Sequence, residues 1–159
     1  MFLIHCHGDG RLALALAEEL RRAGVKPWLD QEQIPAGAWI QDALQAALAQ
    51  VPCAAVLIGR HVSSRWQSVE IKVAISRCIR QDIRVIPVLL PGIDSVPESL
   101  HILREMQTVR FSQTIAETGP LDALVRGIRA AVQPSAGRVS RSTGRSARSE
   151  RIQAIMRET

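Results

Sequence analysis

The apolar positions of this chain follow two rhythms. Short continuous runs alternate with longer stretches in which apolar residues recur every three or four positions. FLIHC (2–6), CAAVLIG (53–59) and IRVIPVLL (83–90) are runs of the first kind. FLIHC predicts a short strand, CAAVLIG a continuous apolar strand of the kind buried on both faces, and IRVIPVLL another buried strand. VKPWLD (25–30) and QTVRF (107–111) predict two further short strands. The first belongs at a sheet edge, because Pro27 has no N–H to give to a ladder.

The helical rhythm appears in RLALALAEELRRAG (11–24), which stops at Gly24, a C-terminal helix signal. It returns in AWIQDALQAALAQ (38–50), WQSVEIKVAISRCIRQ (66–81), ESLHILREM (98–106) and PLDALVRGIRAAV (120–132). Five strands thus alternate with five helices. Helices between strands are the crossovers that parallel strands need. The expected class is α/β: a flavodoxin-like five-stranded parallel sheet, order 2-1-3-4-5, with helices on both faces. Ligands of such sheets bind beyond the carboxyl ends of the strands. The segments to watch are therefore 5–10, 30–37, 59–65 and 91–97. Asp9 with Gly8 predicts a cap for the first helix, and Ser63 and Ser64 one for the helix from 66.

Composition shapes the core and sets off the tail. Of 159 residues 47% are hydrophobic but only 3% aromatic. The core must be aliphatic, so the three Trp are conspicuous. Net charge is +5, and residues 134–159 carry +4 of it through six Arg and two Glu. The remainder is close to neutral, which argues against nucleic-acid binding by the fold itself. PSAGRVSRSTGRSARS (134–149) is Ser, Gly and Arg with almost no apolar residues. The expected organisation is one domain over 1–133 and a flexible linker or disordered tail over 134–159, which could lead to a second domain. Cys6, Cys53 and Cys78 show no CxxC spacing and are expected as buried thiols in a reducing compartment. No apolar run is long enough to span a bilayer. The expectation is a cytoplasmic protein without membrane contact.

Within SSRWQSVEIKVA (63–74), Trp66 and Glu70 lie four apart, so a helix places both on one side. Core packing accounts for Trp66, and a solvated acid for Glu70. The same two residues also stand where a helix leaves the central strand, and that is where ligands bind.

The order of these signals resembles the TIR domain, most closely its bacterial kind. The carrying residues are FLIHCHGD (2–9), WLDQEQIPAGAWIQDALQAAL (28–48), AAVLIGRHVSSRWQSVEI (54–71) and VIPVLLPG (85–92). They resemble the family's first strand and loop, second strand with its long loop, Ser-containing loop with Trp-x-x-x-Glu helix, and fourth strand. The resemblance covers about 1–132. It implies an NAD+ hydrolase that cleaves the nicotinamide–ribose bond to give nicotinamide and ADP-ribose or a cyclic form. It also implies activation by self-assembly, a role in antiphage defence, and NAD+ and other TIR domains as partners. NAD+ is then a substrate, and no cofactor and no metal are expected.

On that resemblance Glu70 is the catalytic residue, and Trp66, Trp28, His5, His7 and Asp30 are expected at the substrate. Ile34, Pro35 and Gly37 fall in the family's self-association loop. Two departures stand out. Ile4 occupies a position where the family often has Ser, and His5, Cys6 and His7 stand where some NAD-cleaving members carry Arg.

The chemistry suits a lone carboxylate. Nicotinamide leaves as a neutral molecule from a cationic pyridinium and needs no acid. Ordinary glycosidases need a second carboxyl to protonate the leaving oxygen. A receiver-domain reading of Asp30 fails, because the third strand ends in Ile58 and Gly59 and the fifth offers Arg110 rather than Lys. HCHGDGRL lacks the GxGxxG spacing of dinucleotide cofactor folds. The rival reading is a non-catalytic TIR adaptor that works through TIR–TIR contacts. A nucleic-acid binder acting through the Arg tail is the weaker third.

Overall fold

A computed structural model describes residues 1–29, 46, 50–63 and 65–132, with backbone alone for 63 and 65–70. The predicted loop at 31–37, nearly all of the helix at 38–50 and the tail at 134–159 lie outside the described residues.

The described residues form a parallel α/β sheet of four strands in the order β1-β2-β3-β4. They are β1 Phe2–Ile4, β2 Cys53–Ile58, β3 Arg84–Leu89 and β4 Val109–Arg110. Phe2 pairs with Ala54, Ala54 with Val85, and Val88 with Val109. Among the described residues α1 Gly10–Arg22 lies between β1 and β2, α2 Arg65–Arg80 joins β2 to β3, and α3 Thr118–Val132 follows β4; all pack on the sheet.

Every residue of β2 is fully buried. Alternate side chains of the strands serve opposite faces. Phe2, Ile4, Ala54, Val56 and Ile58 meet Ile71, Ala74, Ile75 and Cys78 of α2. Leu3, Cys53, Ala55 and Leu57 meet Ala13, Leu16, Ala17 and Leu20 of α1 and Leu124 and Ile128 of α3. Burying one such Leu or Ile is worth about 1.5–3 kcal/mol. A strand apolar on both sides can therefore exist only between two helical layers.

Two predicted elements come out differently. The strand expected over 25–30 is one residue wide: Trp28 makes an isolated parallel bridge with Phe2. The Trp28 N–H donates to Met1 O at 2.8 Å, and the Leu3 N–H donates to Trp28 O at 3.0 Å. Pro27, which has no N–H, stands directly before the bridge and limits the ladder. The sheet of the described residues thus has four strands rather than five. The helix expected over 98–106 is a 3-10 segment, Glu98–Glu105, interrupted at Leu100 (φ −119°, ψ 32°). Pro97 starts it, and Leu100, Ile102 and Leu103 are buried. The three cysteines are buried, and none lies in a disulfide among the described residues. Burial pushes the Cys78 thiol up to about 11 and raises that of Cys53 as well.

Candidate functional site

The carboxyl ends of β1, β2 and β3 open onto three short segments. After β1 the chain turns through a 3-10 turn, His7–Asp9, directly into α1. After β2 a 3-10 turn, Arg60–Ser63, leads into α2. After β3 it reverses at Pro91–Gly92, where the Ile93 N–H donates to Leu90 O at 3.1 Å. Pro followed by a Gly at φ +85° is the residue pattern of a type II turn.

The first two segments meet through a buried acid. Asp9 is only 3% exposed, while the His61 side chain is 55% exposed. Nδ1 of His61 lies 2.8 Å from Oδ1 of Asp9. With the carboxylate oxygen as acceptor, the ring N–H at Nδ1 donates. Oδ2 of Asp9 is buried and has no hydrogen-bond partner among the described residues.

The surrounding glycines make room for this pair. A Cβ on Gly59 would lie 2.3 Å from the Asp9 carboxylate carbon, and a Cβ on Gly8 would lie 2.5 Å from Cγ of His61. Both contacts are far inside van der Waals distance. Neither glycine has a positive φ, so space rather than backbone geometry requires glycine here. Arg60 belongs to the same edge: its guanidinium lies against Gly92, with Nη2 2.7 Å from where a Cβ would stand.

The residues expected at the substrate are only partly brought together. His5 and His7 stand at the end of β1, and Nδ1 of His5 lies 2.9 Å from the backbone oxygen of Cys6. His7 is exposed. Trp28 is half-buried and stacks on Phe2, with centroids 4.7 Å apart and planes at 25°. One indole face is thereby taken by the core. Trp66 and Glu70 lie one turn apart on the backbone of α2, in its first two turns. Asp30, Ile34, Pro35 and Gly37 lie outside the described residues.

Asp9 departs from the expected cap. It occupies the N-cap position of α1, but its side chain makes no cap hydrogen bond. The carboxylate turns instead to His61, a residue that the sequence did not single out. The available signal was the pair of glycines, Gly8 beside Asp9 and Gly59 two residues before His61.

Among the described residues no three His, Cys, Asp or Glu side chains cluster in a way that could hold a metal ion. No described helix is long and apolar enough to cross a membrane.

The chain is similar to several solved structures. The TIR domain of the Toll-related receptor TRR-2 from Hydra magnipapillata shares 16% identity, with a TM-score of 0.62 over 80% of this chain and 96% of that one. A metazoan TIR-STING receptor from C. gigas shares 19% identity, with a TM-score of 0.63 over 84% of this chain. This chain spans about two fifths of that receptor's length, 39%. The RPS4 and RRS1 TIR domain heterodimer gives 15% identity and a TM-score of 0.54, over 82% of this chain and 96% of that one. At such identities the likeness concerns the fold. No curated protein sequence matches the chain. The sequence profile described as the TIR domain matches residues 1–125. The chain therefore belongs to the TIR domain family.

Proposed function

We propose that this TIR domain is an NAD+ hydrolase whose catalytic residue is Glu70. The observation that carries the reading is the placement of Trp66 and Glu70. They stand one turn apart in the first two turns of α2, and α2 leaves the carboxyl end of β2, the central buried strand. That edge is where parallel sheets take ligands.

One carboxylate is enough for this reaction. The bond between C1′ of the ribose and the pyridinium nitrogen breaks, and its electron pair neutralises the pyridinium. Nicotinamide leaves without protonation. An oxocarbenium-like ribose remains, which a carboxylate stabilises most strongly where water is excluded. Water then gives ADP-ribose, and a group of the substrate itself gives a cyclic product. His5 and His7 follow the carboxyl end of β1, Trp28 is bridged to Phe2 at the start of that strand, and Asp30 comes two residues after Trp28 in sequence. In this reading they contact the ribose, the phosphates and a flat ring.

Self-association completes the site. Ile34, Pro35 and Gly37 are the proposed contact loop, with a second copy of the domain as partner. A heterodimer among the similar structures supports TIR–TIR contact as the mode of assembly. The biological setting in this reading is bacterial antiphage defence by NAD+ depletion or nucleotide signalling.

The second reading is a TIR adaptor without catalysis. It is favoured by one observation: His5, Cys6 and His7 occupy the first loop, where some NAD-cleaving members carry Arg. Nicotinamide release from NAD+, followed across protein concentration, separates the two. The hydrolase reading expects release that rises more steeply than concentration. No release at any assembling concentration selects the adaptor.

A further inference from the structure

We infer that His61, held by the buried carboxylate of Asp9, accepts the proton of the water that captures the ribose after nicotinamide leaves. The inference rests on the NAD-cleavage reading and adds a second functional group to it. Three observations carry it. The first is the hydrogen bond from Nδ1 of His61 to Oδ1 of Asp9 at 2.8 Å. The second is the contrast in burial, with the acid 3% exposed and the imidazole side chain 55% exposed. The third is that Gly8 and Gly59 are glycine where any Cβ would strike the ring or the carboxylate.

Each observation has a chemical consequence. The proton on Nδ1 is fixed by the acid, so the neutral ring has its lone pair on Nε2. A buried acid that orients an imidazole in this way also stabilises the imidazolium once it forms. Asp9 is thus a positioning residue, and His61 presents the acceptor. Oδ2 of Asp9 is buried without a hydrogen-bond partner among the described residues, and Oδ1 meets His61. The turn that bears His61, Arg60–Ser63, runs into α2, so the acceptor lies in the segment that leads to Glu70.

The step balances. Water oxygen forms a bond to C1′, and one of its protons passes to Nε2. The products are ADP-ribose and an imidazolium, which returns the proton to solvent. Glu70 stabilises the cationic sugar and takes no proton.

The test uses the full chain and NAD+. Asn places its side-chain N–H where the His ring has Nδ1, so His61→Asn keeps the donor to Asp9 and removes the base. The expected result is a kcat lowered about 100-fold, the low end of what a positioned base supplies. KM and the thermal midpoint should stay within about twofold and a few degrees of wild type. His61→Ala should lose a similar factor and recover part of it with added imidazole. Nitrogen NMR of wild type should show a proton on Nδ1 and a lone pair on Nε2, with the tautomer lost in Asp9→Asn.

Wild-type kcat in His61→Asn overturns the inference, as does a neutral wild-type ring protonated on Nε2. If wild type is active, Glu70→Gln is inactive and His61→Asn is unaffected, only this inference falls. If wild type releases no nicotinamide, the hydrolase reading falls and takes this one with it.

Discussion

The carboxylate of Asp9 lies against the bare Cα of Gly59. A methyl group built there would stand 2.3 Å from the carboxylate carbon and 2.3–2.4 Å from both oxygens. Asp9 is buried, so it cannot swing away as a surface side chain would. Gly59→Ala must therefore push the acid off its bond to His61 or shift the end of β2. The expected cost is about 1–3 kcal/mol, typical of overpacking. Asp9→Ala should make most of that cost disappear, so the double variant should be far more stable than the sum of the two losses. Urea midpoints of the three variants measure this; strict additivity would mean that the two groups do not meet.

Gly92 poses a different problem. Its φ of +85° is a conformation that side chains with a Cβ avoid. The nearest atom to an added Cβ is Nη2 of Arg60, at the far end of a flexible side chain. Backbone strain should therefore dominate, and Gly92→Ala should cost about 1–2 kcal/mol. Arg60→Ala should not relieve it, and thermal melts of the single and double variants distinguish the two sources.

Glu117 holds the loop before α3. Its Oε1 accepts the backbone N–H groups of Ser112, Gln113 and Thr114 at 3.0, 2.5 and 2.8 Å. Those bonds, from Gln113 and Thr114 above all, hold its carboxyl below the ordinary value of 4.5. A lowered folded-state value means that the stabilisation is present above 4.5 and is lost as pH falls through the lowered value. Glu117→Gln should flatten this acid-side decline. Hydrogen exchange at 112–114 should also be faster in the variant at neutral pH.

Cys78 acts at the other end of the scale. Burial pushes its thiol from 9.0 to about 11. Below pH 9 the thiol is neutral in both folded and unfolded chains and has no effect. Between 9 and 11 only the unfolded chain loses the proton, so stability falls by about 2–3 kcal/mol and then levels. Denaturant titrations at pH 8 and 10.5 should show that fall in wild type and a smaller one in Cys78→Ala. Cys53, raised by burial as well, accounts for part of the remainder.

The sequence carried the layers of this fold more readily than its edges or its site. CAAVLIG could only be a strand between two covered faces, and β2 is buried throughout. The helix at 11–24 was marked by its periodicity and by Gly24, and α1 ends at Arg22, with Gly24 at φ +79° two residues on. Trp28 was harder to place. An apolar run containing Pro27 reads as a strand, yet how far an edge ladder extends depends on tertiary contacts. Asp9 was the least legible. An acid after Gly at the start of a helix reads as a cap, and nothing local says that a ring 52 residues later will claim it. The contact became visible only once parallel pairing of β1 with β2 set both loops at one edge.

Glu70 bears the central claim, and one comparison tests it most directly. Wild type and Glu70→Gln are incubated with NAD+ at the same high protein concentration, and free nicotinamide is measured. Gln keeps the size of the side chain and removes its charge, so folding and assembly should be unchanged. The account predicts nicotinamide release by wild type and a loss of about 100-fold or more in Glu70→Gln, as for removal of a principal electrostatic group. Equal release by the two proteins would contradict it.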